Sequence, residues 1–367
     1  MSSRQFTFPD GVVKIKMRAC CFGGCEETAE NPFGISDFGI PKDISGIVIP
    51  DSVKEIGWLA FEGCTSLTSV EIPGSVTKID AEAFTGCTSL TSVVIPDSVT
   101  KIGAWAFCDC ISLKSVDIPD SVKEIGGGAF EGCTSLTEIK VSPNNPNFRD
   151  IDGVLFERSK LHTLPTGRNP RTYKIPDFVT EIGDEAFEDC TSLTSVQIPD
   201  SVEKIGDSAF EGCTSLSSAD IPNSVTKIGW YSFDGCTSLT SADIPNSVKE
   251  IGEGAFKGCT SITEIKVSPN NPGFRDIEGV LFEGSKLHTF PAGKDQQKCK
   301  IPDFVTEIGN YAFYGCTSLT SVVIPDSVKK FHYDSFFGCN SLEKVYAPEG
   351  LDLSKTGIPD SAEIIRR

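Results

Sequence analysis

Leu90-Thr91-Ser92-Val93-Val94-Ile95-Pro96-Asp97-Ser98-Val99-Thr100-Lys101-Ile102-Gly103-Ala104-Trp105-Ala106-Phe107-Cys108-Asp109-Cys110 is the stretch that decides the fold. The preceding copy holds Ile72-Pro73, Val76, Ile79, Ala83-Phe84 and Cys87, each 23 residues before its counterpart. Clear 23-residue repeats begin at Ile49, Ile72, Ile95, Ile118, Ile175, Ile198, Ile221, Ile244, Ile301 and Ile324. A fixed period of this length specifies a solenoid, in which each repeat buries its apolar face only against its neighbours. Such a protein works through an extended surface, which argues against a single catalytic pocket.

Within a repeat, Leu67-x-x-Val70-x-Ile72 has the alternation of a short strand, with Ser69 and Glu71 facing outward. Pro73 stops the strand because it offers no N–H to a ladder. Gly57, Gly103 and Gly126 suggest a tight turn further on; most copies carry glycine there, and Asp80 stands at the matching position in its own. The phenylalanines that follow, Phe61 through Phe336, form the expected core spine, each ring contributing roughly 1.5–3 kcal/mol on burial. Ten of the 15 cysteines hold one motif position, from Cys64 to Cys339. They read as a ladder of small buried side chains, since nothing in the motif pairs them off as disulfides. Cys20, Cys21, Cys25, Cys108 and Cys299 stand off this ladder. The spacing of Cys20, Cys21 and Cys25 is not that of a zinc knuckle, so no metal is expected.

Two longer repeats, 141–174 and 267–300, interrupt the series and match each other at an offset of 126 residues. Val141-Ser142-Pro143-Asn144-Asn145-Pro146 parallels Val267-Ser268-Pro269-Asn270-Asn271-Pro272, and Gly153–Phe156 parallels Gly279–Phe282. Four short repeats and one long repeat have therefore been duplicated. Each long repeat reads as a hairpin-like coil joining the same sheet as the short strands. The expected organisation is a degenerate N-terminal capping repeat over 1–48, the solenoid over 49–346 and a C-terminal cap or tail over 347–367.

The motif Leu-x-x-Val-x-Ile-Pro-x-x-Val-x-x-Ile-Gly-x-x-Ala-Phe-x-x-Cys resembles the BspA-like, or Treponema-type, class of leucine-rich repeat. The long repeats resemble its Asp-Gly-Val-Leu-Phe variant at Asp152–Phe156, with Glu278 departing from it in the second copy. The resemblance implies a mainly β, curved right-handed stack with a parallel sheet on the concave face and irregular or short helical convex segments. It also implies a microbial surface or secreted protein that binds a protein ligand, such as host matrix or cell-surface protein. The family brings no catalytic residues and no cofactor.

A net charge of −18 argues against binding nucleic acid or anionic membrane. No apolar run is long enough to span a bilayer, and Met1–Phe8 lacks the layout of a secretory signal. A cytoplasmic location and a structural or scaffold role therefore stand as the alternative. No P-loop, dinucleotide fingerprint, zincin or nucleophile-elbow motif occurs. His162 and His288 are equivalent by duplication and read as structural, as do the turn residues Asn144, Asn145, Asp150 and Asp152, which do not match a calcium loop. Asp220 and Asp243 fall in one outward strand column, roughly 5 Å apart if their strands are in register. An acidic hydrolase built on that pair is the remote alternative, lacking a pocket or nucleophile.

Two surfaces are candidates for binding. One is the strand face, with Ser69, Ser92, Ser115, Ser195, Ser218 and Ser241 outward. The other is the variable dipeptide after the turn glycine, which holds Trp58, Trp105, Trp230, Tyr231 and Tyr311, with Tyr333 at the same place in the last repeat. All three tryptophans of the chain lie there, at positions the motif does not require to be aromatic. Trp and Tyr are enriched at interface hot spots. Burial against a neighbouring coil is the other reading.

Overall fold

The computed structural model describes residues 5–7, 12, 14–15, 35–36 and 43–367. The segment with Cys20, Cys21, Phe22 and Cys25 lies outside the described residues. The chain forms two compact units, Met1–Arg168 and Asn169–Arg367. Each is a mainly β solenoid.

In the first unit the strands Gly46–Val48, Ser69–Glu71 and Ser92–Val94 pair in parallel, with Ile47, Val70 and Val93 in register. The middle residue of each is buried and the third exposed, as alternation requires. Gln5–Thr7 extends this sheet by pairing with Gly46–Val48. After the strand, Val76 N–H bonds the Pro73 carbonyl at 3.0 Å, and Val99 repeats this with Pro96. The serines of two Pro-x-Ser-Val turns then tie coils together: Ser75 and Ser98 donate to the Val53 and Val76 carbonyls, each at 2.6 Å, whereas the equivalent Ser121 hydroxyl is buried without a partner.

A second parallel ladder runs through Glu55–Ile56, Lys78–Ile79, Lys101–Ile102 and Glu124–Ile125. Its strands are two residues long, too short for periodicity to reveal. The phenylalanine column is core: Phe61, Phe84, Phe107 and Phe130 stack with centroids 5.0, 5.2 and 5.7 Å apart. The cysteines do more than fill space. Cys87, Cys110 and Cys133 each donate a thiol hydrogen bond to the phenylalanine carbonyl 26 residues earlier, at 3.1–3.3 Å. Burial pushes the Cys133 thiol up to about 12, so it stays protonated and inert.

The motif glycine has a different reason from the turn expected of it. A Cβ on Gly103 would lie 2.3 Å from the Ala81 backbone nitrogen, and one on Gly126 equally close to that of Ala104. Close approach of neighbouring backbones therefore demands glycine. The left-handed conformation comes two residues later, at Leu59, Glu82, Trp105 and Gly128, with φ of 53–60°.

The long repeat of this unit is an antiparallel meander of Phe148–Ile151, Val154–Glu157 and Lys160–Thr163. It seals the edge of the strand Glu138–Val141. Ile139 N–H bonds the Gly153 carbonyl at 2.9 Å, and Val141 N–H bonds Asp150 Oδ1 at 2.8 Å. Asn145 is fully engaged, donating to the Pro119 and Val122 carbonyls and accepting from the Asn147 and Phe148 N–H groups. His162 is buried, with Nε2 on the Ile125 carbonyl and Nδ1 on the Thr163 hydroxyl.

The second unit repeats this plan. Phe187, Phe210, Phe233 and Phe256 stack at 4.9, 5.2 and 5.6 Å. Its long repeat supplies Phe290, stacked on Phe313 at 5.1 Å. That repeat does not simply join the sheet of the Leu-x-x-Val strands. Its meander strand Lys286–Thr289 pairs with Glu307–Ile308 of the second ladder, and only its last strand, Lys298–Lys300, joins Ser321–Val323. The chain ends in Glu363–Arg366, which pairs with Lys344–Ala347, while the Thr356 carbonyl takes the Phe336 N–H.

The strand face is not one sheet. Ser92–Val94 and Ser115–Ile118 belong to different sheets, as do Ser218–Ala219 and Ser241–Ile244. The two breaks are again 126 residues apart, since 241 − 115 = 126. The convex segments are turns; the 3-10 helix among the described residues is Thr166–Arg168. No helix there is long and apolar enough to cross a membrane.

Candidate functional site

The dipeptide after the motif glycine sits on the turn side of each coil. Its second residue is left-handed in every repeat, a conformation that favours glycine and is uncommon for bulky side chains. Glycine occupies it at Gly128 and Gly254, yet Trp105, Tyr231 and Tyr311 adopt it with φ of 53–57°. The first residue serves backbone satisfaction. Asp184 Oδ1 accepts the Asp207 N–H, Asp207 Oδ1 the Trp230 N–H, and Asn310 Oδ1 the Tyr333 N–H, at 2.8–2.9 Å. Short polar side chains here thus cap the next coil. Trp58 and Trp230 hold this position without such a use.

The indoles are exposed: Trp58 48%, Trp105 40% and Trp230 51%. Two of them are fixed in orientation by a carboxylate of the next coil. Trp58 Nε1 donates to Glu82 Oε1 at 3.2 Å, and Trp105 Nε1 to Glu131 Oε2 at 2.8 Å. Tyr333 is also exposed, with Lys355 Nζ 5.8 Å from its ring centroid.

Tyr231 and Tyr311, 80 residues apart in sequence, meet in the second unit, their hydroxyls 3.2 Å apart. Gly254 makes this possible, because a Cβ there would lie 2.7 Å from the Tyr231 ring. Lys257 Nζ lies among the rings of Tyr231, Tyr311 and Tyr314, 5.1–5.4 Å from each centroid, and bonds Asp234 Oδ2 at 2.6 Å. Burial opposes the charge on Lys257, but Asp234 more than offsets it and holds the ammonium above its usual value. Tyr314 stacks on the exposed Phe337 at 5.6 Å. Lys257, Tyr314, Asp234 and Phe337 were not legible as site residues, because only the Gly254 gap lets distant repeats converge.

Asp220 and Asp243 are exposed on the strand face, at the break between Ser218–Ala219 and Ser241–Ile244. They are not hydrogen-bonded ladder partners. Ala219 and Ala242 stand where other repeats have valine, which thins the packing at that point. On the strand-to-proline corners run open grooves, one of 690 Å³ between 46–51 and 69–74 and one of 500 Å³ lined by Lys174, Gln197 and Asp200 among others. Among the described residues no group of three or more His, Cys, Asp or Glu could hold a metal ion.

The family model for the BspA type leucine rich repeat region matches residues 37–162, 180–298 and 288–358. The chain belongs to this family. As a BspA-type protein it is similar in structure to the pneumococcal vaccine antigen PcpA, at 21% identity over 100% of this chain and 89% of that one, with a TM-score of 0.62. That likeness establishes the leucine-rich repeat fold. A leucine-rich repeat protein from Bacteroides ovatus is 27% identical over 99% and 92% of the two chains, with a TM-score of 0.49. A leucine rich cell surface protein from Faecalibacterium prausnitzii is 26% identical over 94% and 88%, with a TM-score of 0.47. No curated protein matches this BspA-type chain.

Proposed function

We propose that this BspA-type chain is a noncatalytic protein-binding solenoid, acting at a microbial surface or after secretion as an adhesion or interaction protein. The observation that carries this reading is the placement of the tryptophans. All three stand exposed on the turn side, at positions where glycine or a small residue serves the fold in other repeats. A large aromatic kept in water, and at Trp105 in a left-handed conformation, contributes little to the core. Rigid indole faces with fixed orientation suit recognition, since little entropy is lost on binding. The open grooves and the solvated Asp220 and Asp243 support no reaction chamber.

The test is binding of the labelled full chain to arrayed matrix and cell-surface proteins, beside a variant with Trp58, Trp105 and Trp230 all changed to Ala. Saturable binding by the wild type that falls at least tenfold in the variant is the expected result. No binder, or equal binding by both proteins, would overturn the reading. A cytoplasmic scaffold is the competing account, favoured by the twelve reduced cysteines among the described residues. Those thiols are buried and so would also survive outside the cell. Fractionation of the native host cell, with the protein found wholly in the cytosol, would decide for the scaffold.

A further inference from the structure

The turn side of the first unit carries two copies of one chemical arrangement, an exposed indole whose N–H is tied to a carboxylate of the neighbouring coil. One is Trp58 with Glu82 and the other Trp105 with Glu131. Each presents an electron-rich ring face beside a negative charge. The four turn segments 57–63, 80–86, 103–109 and 126–132 contain five carboxylates, Glu62, Asp80, Glu82, Asp109 and Glu131, of which Asp80 is paired with Lys78 at 3.0 Å, and no lysine or arginine within them. Attraction of a cation to a ring face and to a carboxylate act together at such a place.

The second unit displays what this chemistry accepts. There the chain sets its own cations on turn-side tyrosines, while Trp230 stays exposed. Lys257 lies among three tyrosine rings and bonds Asp234, and Lys355 lies over Tyr333. Among the described residues no such cation covers Trp58 or Trp105. The left-handed Trp105 adds a second argument. Tyr231 and Tyr311 share its conformation and are used in the lysine cage, whereas Trp105 points an equally unusual side chain into solvent.

We infer that the turn face of the first unit binds a basic segment of a partner protein, with Trp58–Glu82 and Trp105–Glu131 each receiving one arginine or lysine side chain. This deepens the protein-binding reading and rests on it. The coils of Trp58 and Trp105 lie two repeats apart, about 10 Å at the usual strand spacing, with Trp105 one position further along its turn. A polyproline II segment brings residues i and i+3 to one side about 9 Å apart. The segment therefore carries cations three residues apart.

The probe is a fluorescent dodecapeptide of repeating Arg-Pro-Pro, with Gln-Pro-Pro as its neutral counterpart, titrated with the full chain by fluorescence anisotropy at physiological salt. The arginine peptide binds saturably and the glutamine peptide at least tenfold more weakly. Trp58→Ala and Trp105→Ala each weaken binding about fivefold, with melting temperatures unchanged, and Trp230→Ala in the other unit has no effect. The tryptophan variants retain the net charge of −18. Unchanged affinity in the Trp58→Ala/Trp105→Ala protein would therefore reduce the interaction to bulk electrostatics and overturn the inference. Failure of the arginine peptide to bind, with array ligands still captured by the wild type, would sink this inference and leave the protein-binding reading standing. Failure of both assays would remove both.

Discussion

Replacing Phe210 by alanine interrogates the stack where it is most regular. Phe210 is fully buried and lies between Phe187 at 4.9 Å and Phe233 at 5.2 Å, with near-parallel rings. Truncation removes the transfer energy of the ring and leaves a cavity that cannot collapse, because the coils above and below are fixed by hydrogen bonds. Phe210 N–H bonds the Ser232 carbonyl at 2.8 Å, and Cys236 Sγ bonds the Phe210 carbonyl at 3.2 Å. A buried Phe→Ala change costs roughly 3–5 kcal/mol. The loss of two stacked neighbours places this site toward the upper part of that range. For a unit of about 200 residues, each kcal/mol lowers the melting temperature by roughly 2–4 °C. A drop of roughly 8–16 °C is expected, read by calorimetry on the full chain. Hydrogen exchange by mass spectrometry should show the loss centred on 187–236, since solenoid repeats depend chiefly on nearest neighbours. A shift below about 2 °C would refute the reasoning that the phenylalanine column is the core spine.

Three further outcomes follow from particular contacts. Gly103→Ala should destabilise by several kcal/mol, roughly the range for severe core changes, because its Cβ would strike the Ala81 backbone, whereas Gly74→Ala, with nothing within 4 Å, should be near neutral; equal melting temperatures would contradict the close-approach account. His288 is held below its ordinary pKa of 6.5 first by burial and then by Lys286. The unfolded state therefore takes up the proton first, so stability should fall as pH drops from 6.5 toward the folded value, and His288→Gln should flatten that part of the urea-midpoint profile. The ten motif cysteines are buried, and Cys133 and Cys190 are pushed up to about 12 by burial. They should resist a thiol reagent at pH 8 until the chain is unfolded, and rapid native labelling at Cys133 or Cys190 would be inconsistent with the ladder.

Much of this architecture was legible in the repeat itself. Identical residues at a fixed spacing can only satisfy one burial pattern, so the strand, the phenylalanine column and the cysteine ladder follow from Val70, Phe84 and Cys87. What escaped the reading depends on neighbouring backbones. The two-residue strands such as Lys78–Ile79 exist only as a ladder between coils. Gly103 conserves space rather than a turn, which no single repeat reveals. The hidden part of the site has the same origin: Tyr231 and Tyr311 meet over Gly254, and Lys257 enters their cage, where the turns of 252–258 and 309–315 meet and Asn310 N–H bonds Glu253 Oε2 at 3.1 Å. The breaks beside Ser115–Ile118 and Ser241–Ile244 recur at the duplication offset, so they belong to the block and not to the Asp220 and Asp243 charges.

Under the proposed function the turn-side tryptophans serve recognition and not the core. Melting of the protein with Trp58, Trp105 and Trp230 all replaced by alanine tests this most directly. Exposed substitutions of this kind change stability by about 0.5 kcal/mol or less apiece, so the melting temperature should stay within a few degrees of wild type. A loss of about 5 kcal/mol or more, the scale of removing packed side chains, would show that the indoles hold the coils together, and the binding surface proposed for them would fall.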